Sequence, residues 1–169
     1  MRSRRMTMIV VTVLGMTAST DHALSQQKTL REQLLGAWDL VSFNSVHADG
    51  SKLTVFGGNP NGIAFFDSTG HYIITVMRSD RAKFAANDRT KGTADEYKAT
   101  AEGTITYFGT YTVNEADRAL NIHVAGSSFP NWNGTDQKRT FAVSADELKL
   151  TNPVASTGGT TEVVWKRAR

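Results

Sequence analysis

Arg139 carries the most chemistry in this 169-residue sequence. It shares two-residue parity with Gln137, Phe141 and Val143 in a stretch that alternates like a β-strand, so it points to the face those residues bury. A guanidinium offers five N–H donors and no acceptor. Aimed into an apolar interior, it needs an internal partner, such as a carboxylate or the tyrosines, or the anionic group of a ligand, because an unpaired buried charge is costly. Tyr107 and Tyr111 share a face with Ile105 and Val113. Two inward phenols either satisfy neighbouring side chains or act as the few polar handles of an apolar pocket. Trp132 precedes Arg139 in a loop rich in Gly, Ser, Pro and Asn and is expected on the rim. Arg78 follows an inward run of Tyr72, Ile74 and Val76 and opens a charged stretch, where it is either a solvated surface cation or a rim contact for an acidic ligand.

Other chemistries have weaker support. Imidazole near pH 7 suits general-base work. By parity, however, His123 faces away from Leu120, Ile122 and Val124, and no paired nucleophile accompanies it. His47, His71 and His123 are scattered without metal-ligand spacing, so no metal and no cofactor is expected. The chain has no cysteine. That excludes disulfides, thiolate zinc, iron–sulfur clusters and a cysteine nucleophile.

Trp38 pairs with a different kind of cation. It follows a short helical stretch, and the last predicted strand carries Val164-Trp165-Lys166-Arg167. A basic side chain, Arg167 or Lys166, stacked over the indole would close the base of the domain through a cation–π contact of about 0.5–2 kcal/mol. Arg167 shares parity with Trp165 and Val163, which makes it the inward one of the two.

Period-two alternation must position all of these residues. Strands are predicted at about 37–46 (with Trp38, Leu40 and Ser42 on one face), 52–56, 63–67, 71–78, 104–113, 120–124, 137–143, 147–151 and 160–167. Gly and Asn turn clusters separate them. Helix is predicted only at 29–35 and inside 79–102. There Thr93 and Glu96 have capping-box spacing, and the long insertion reads as a lid. Eight or nine short strands without a βαβ rhythm predict an all-β antiparallel up-and-down barrel, with a sandwich as the alternative.

Composition agrees with one globular domain: 40% of residues are hydrophobic and 21% charged. Residues 1–25 have the layout of a signal peptide: Arg2, Arg4 and Arg5, then apolar Met6 to Ala18, then Ala23-Leu24-Ser25. That apolar run is too short for a bilayer core, which needs about 20 residues, and the mature chain is expected to have no transmembrane segment. Cleavage before Gln26 would leave residues 26–169 as the domain, secreted and expected in a periplasm. The formal +3 of the whole chain would fall to about +1 by charge counting. No basic stripe interleaved with aromatics is present, so no nucleic-acid partner is expected.

Gly36-Ala37-Trp38 resembles the Gly-x-Trp step of lipocalins, which are calycin-type barrels. Phe56 to Gly62, Phe108-Gly109-Thr110-Tyr111, and above all Phe129-Pro130-Asn131-Trp132-Asn133-Gly134-Thr135-Asp136-Gln137-Lys138-Arg139 resemble the bacterial and fungal lipocalin-like domain family, over roughly 34–167. The resemblance implies a barrel of about eight strands with a helical N-terminal plug and a lumen able to hold one small molecule. It also places a histidine near the Pro-Asn-Trp loop, in tension with the outward parity of His123. It implies no activity. Three readings follow. One is a secreted barrel that binds a small hydrophobic or amphipathic molecule bearing a carboxylate or carbonyl, through Arg139, Tyr107, Tyr111, Trp132, His123 and Arg78. Another is a cofactor-free isomerase, cyclase or hydrolase. The third is an envelope interaction module whose lumen its own side chains fill. A cavity of about 300 Å³ or more favours the first two.

Overall fold

A computed structural model describes residues 28–156 and 159–169; the expected signal peptide lies outside them. The described elements are α1 (Leu30–Leu34), β1 (Gly36–Val46), β2 (Lys52–Thr54), β3 (Asn61–Phe66), β4 (His71–Met77), α2 (Ala94–Glu102), β5 (Thr104–Asn114), β6 (Ala119–Ser127), a 3₁₀ turn (Pro130–Trp132), β7 (Asp136–Val143), β8 (Glu147–Asn152) and β9 (Thr160–Arg167).

From β3 to β9 each strand pairs antiparallel with its successor, and β1 pairs with both β3 and β9. The sheet therefore closes into an eight-strand up-and-down barrel, not a sandwich. Closure removes the exposed edges that an open sheet of this size would present. β2 is an extra strand paired to the far half of β1, with Asn44 opposite Thr54.

The alternation places side chains as the sequence predicts along β5. Ile105, Tyr107 and Tyr111 are buried, while Phe108 between them faces out. β1 departs from its predicted face. A bulge falls between Leu40 and Ser42, where the pairing steps from Leu40–Trp165 to Ser42–Val164. One extra residue reverses the parity. Trp38 and Leu40 face inward before it, and Phe43 and Ser45 after it, so Ser42 does not share the face of Trp38. A second bulge lies at Ala125, where Phe108 pairs with Gly126 and Gly109 with Val124. Gly109 is needed there, because a Cβ at that position would collide with the carbonyl oxygen of His123.

Both helices begin with a full capping box, Thr29 with Glu32 and Thr93 with Glu96. Glu96 also accepts from the Ala85 N–H at 2.8 Å, and Phe84 packs edge-on against Tyr97 at 5.6 Å. The insertion thus holds itself together through local contacts. It leaves β4 and rejoins β5 at the open end of the barrel, yet none of its residues lines the interior cavity. The lid-like part of the prediction therefore moves elsewhere: the 3₁₀ turn carrying Trp132 and residues 152–156 border the cavity instead.

Candidate functional site in the barrel lumen

The closed end is built from polar contacts around one indole. Trp38 is fully buried and donates from Nε1 to the Leu34 carbonyl at 2.8 Å. The Arg167 guanidinium lies 4.0 Å from the centre of its ring. Arg167 also donates to the carbonyls of Gln33 at 2.7 Å and Leu35 at 3.0 Å, and to that of Ala145. Those of Gln33 and Leu35 are free carbonyls at the end of α1, where a cation is electrostatically favoured, and that of Ala145 lies in the turn between β7 and β8. Glu115 caps the other end of α1, accepting from the N–H groups of Leu30 and Arg31. Trp38 and Arg167 are thus brought together at the closed end.

Tyr111 belongs to this closed end. Its hydroxyl donates to the Asp67 carbonyl at 2.7 Å, and its ring meets Phe66 edge-on at 5.3 Å. Burial is the main reason its hydroxyl is harder to ionise, with Arg31 opposing the shift. Tyr111 points inward, as its parity requires, but its hydrogen bond is already made and it does not border the cavity.

Arg139, Tyr107 and Trp132 are brought together at the cavity. Arg139 is only 2% exposed. Its guanidinium carbon lies 5.4 Å from the centre of the Tyr107 ring and 5.7 Å from that of Trp132. Tyr107 and Trp132 themselves meet edge-on at 5.2 Å. Arg139 Nη2 donates to Gln137 Oε1 at 2.9 Å, Gln137 Nε2 donates to Thr135 Oγ1 at 3.0 Å, and Thr135 Oγ1 donates to the Trp132 carbonyl at 2.7 Å. A chain of three hydrogen bonds therefore ties the guanidinium to the turn that holds Trp132.

The other half of the guanidinium is unsatisfied. Nη1 is buried and has no hydrogen-bond partner. Among the described residues no carboxylate forms an ion pair with Arg139. Two further buried groups are also unpartnered, the Tyr72 hydroxyl and Trp165 Nε1. Sequence reasoning put Tyr72 and Trp165 on inward faces but had no signal that their polar atoms lack partners. Tyr72 meets Tyr107 at 5.9 Å. Its hydroxyl is strongly resistant to ionisation, first because of burial and second because of Tyr107, with Arg139 acting the other way.

The remaining sequence candidates lie elsewhere. His123 faces outward on β6 and its Nδ1 is 2.8 Å from Asp136 Oδ1. Parity described its direction correctly. It is close in sequence to the Pro-Asn-Trp loop but on the opposite side of the wall from the lumen. Arg78 is exposed just past β4, and Nε and Nη2 bind the Asp80 carboxylate at 2.9 and 2.8 Å. Among the described residues no set of three His, Asp or Glu side chains is arranged to hold a metal ion, and no helix is long and apolar enough to cross a membrane.

The model of the lipocalin-like domain family matches residues 35–168. The chain belongs to the lipocalin-like domain family. The match spans every strand of the barrel and both residues of its cation–π base. No curated protein matches the chain. Among solved structures, a redesigned β-barrel is similar at 14% identity and a TM-score of 0.44, over 86% of this chain and 100% of that one. Within the lipocalin-like barrel, the lumen is narrow: its cavity measures about 30 Å³, room for about two waters.

Proposed function

We propose that this lipocalin-like barrel binds a small, mostly apolar molecule in its lumen through a carboxylate or carbonyl group, and that it does so in a periplasm after cleavage of residues 1–25. The observation that carries this reading is Arg139: a guanidinium almost fully removed from water, with one hydrogen bond made and Nη1 left open. Native proteins rarely leave such a group unpaired, and a ligand acceptor is a direct remedy. The surrounding wall, including Phe43, Ile74, Leu150 and Val163, is apolar. It suits the body of such a molecule.

The size of the void constrains the ligand. A cavity of about 30 Å³ is far below the range of about 300–1,000 Å³ typical of small-molecule pockets. Entry therefore requires the mouth to widen, by a swing of the Trp132 ring or a shift of residues 152–156. That ring is half-buried, sits on a three-residue turn and rests on Tyr107 and Phe129 through edge contacts. Titration of apolar acids and ketones, followed by tryptophan fluorescence, tests the reading. Saturable binding is the expected result, lost in Arg139→Met. Native mass spectrometry of protein from its own envelope would show whether a molecule is carried. The same small void favours one competing reading, a barrel filled by its own side chains that acts through its outer surface. Absence of saturable binding across the whole panel would select it.

A further inference from the structure

We infer that the ligand of this lumen is a compact monocarboxylate, and that Tyr72 is a specificity-determining residue that recognises it beside Arg139. The inference rests on the proposed lumen binding and narrows it to one charge state. The cavity side of the barrel interior holds a positive charge at Arg139 with no negative charge paired to it among the described residues. A neutral carbonyl would satisfy the open Nη1 donor but leave that charge uncompensated. One carboxylate does both. A dicarboxylate would bring a second charge into a wall that offers it no second cation.

The donor count points the same way. Nη1 of Arg139, the Tyr72 hydroxyl and Trp165 Nε1 are all buried without partners. Arg139 and Trp165 line the cavity beside Ile74. Tyr72 is the next inward residue of β4, one step beyond the cavity lining, and it shares the Tyr107 ring with Arg139. Two carboxylate oxygens, each with two lone pairs, can take three donors, whereas a single carbonyl oxygen has two sites. Tyr72 stays protonated at any ordinary pH, because burial and Tyr107 oppose its ionisation. It is therefore a neutral donor that adds no repulsion toward an anion. Small size follows from the cavity and from the aromatic ring of Trp132 that covers it.

The test uses matched triplets on butyl, hexyl and cyclohexyl skeletons: the carboxylate, the methyl ketone and the hydrocarbon. These are titrated at neutral pH into wild-type protein and into Tyr72→Phe, with tryptophan fluorescence and calorimetry as readouts. In wild type the carboxylate should bind at least about tenfold tighter than its ketone, the scale of one hydrogen bond to a charged group. Tyr72→Phe should reduce that preference about threefold or more. It should also raise the melting temperature of the ligand-free protein, since it removes a buried hydroxyl that has no partner. A hydroxyl with a purely structural role would give the opposite melting shift and no change in preference. If ketones bind as tightly as acids, the carboxylate inference is overturned while lumen binding stands. If acids are preferred but Tyr72→Phe leaves the preference intact, Tyr72 is not the determinant and the inference fails at that residue. If no member of any triplet binds, the lumen reading itself falls and this inference with it.

Discussion

Replacing Arg139 by methionine should make the ligand-free barrel more stable. Three terms set the magnitude. The guanidinium is 2% exposed, with no ion pair and with Nη1 unpartnered. The burial cost of such a group is several kcal/mol even after relaxation. Opposing this are two cation–π contacts, with Tyr107 and Trp132, worth about 1–2 kcal/mol each for a cation so buried. The bond to Gln137 Oε1 is also lost, and leaving that carbonyl without a donor costs about 1–2 kcal/mol. Methionine is unbranched and flexible, so it fills the vacated channel with little strain. The balance is a gain of up to about 2 kcal/mol, or a rise in Tm of up to about 6 °C for a domain of this size. Urea denaturation and calorimetry at pH 7 on ligand-free protein measure it. Saturating carboxylate should then reverse the order: wild type gains about 2.7 kcal/mol at a ligand concentration near 100 times Kd, and Arg139→Met gains nothing. A loss of more than about 1 kcal/mol in ligand-free Arg139→Met would falsify the reasoning. It would mean that the ring contacts and the Gln137–Thr135–Trp132 chain make Arg139 a structural residue.

Trp38→Ala should cost about 3–5 kcal/mol, as deletions of large buried aromatics do; a change below about 1 kcal/mol in urea melts would show that the base does not depend on the indole. Arg167→Lys keeps the charge but loses the planar fork that reaches three carbonyls, so it should destabilise by about 1–3 kcal/mol, and an unchanged midpoint would contradict that role. Gly109→Ala drives a methyl into the His123 carbonyl at the β5–β6 bulge and should cost at least about 2 kcal/mol, whereas normal stability would mean the bulge relaxes freely. Lowering the pH should weaken the tie between β2 and β9: Glu162 is held below its usual range by its bonds to Lys52 and Lys149, so what it contributes is present above its unfolded pKa and is lost as the pH falls through its folded one. In Glu162→Gln the midpoint should lose part of its acid dependence, and an identical pH profile would refute the link.

The closed end and the lumen use the same interactions for different ends. Both place an arginine over aromatic rings. At the base, Arg167 finds three carbonyl acceptors, two at the end of α1 and one in the turn between β7 and β8. In the lumen, Arg139 finds one. The difference lies in what the chain supplies around each cation, and it is the reason the second arginine, not the first, carries the binding hypothesis.

The sequence alone determined most of the strands, their alternation, two short helices and the capping box of the second, because each is a local pattern. Side-chain period two sets which face a residue takes, and capping boxes act over three residues. The inward direction of Arg139 and the outward direction of His123 were legible for the same reason. Tertiary structure alone decided the rest. A bulge between Leu40 and Ser42 turned Phe43 inward, and alternation cannot register an extra residue whose position depends on the partner strand. Tyr107 and Tyr111 share a face, yet only the closed barrel separates them: one borders the cavity, and the other is bound to the Asp67 carbonyl at the plug. The insertion has the composition of a lid, but its Phe84–Tyr97 contact and its bond from Ala85 to Glu96 hold it in a fold of its own while Trp132 takes the mouth. Whether Arg139, Tyr72 and Trp165 have partners depends on which groups arrive from the far wall. Hydrogen-bond satisfaction is a property of three-dimensional neighbours, so no reading along one strand contains it.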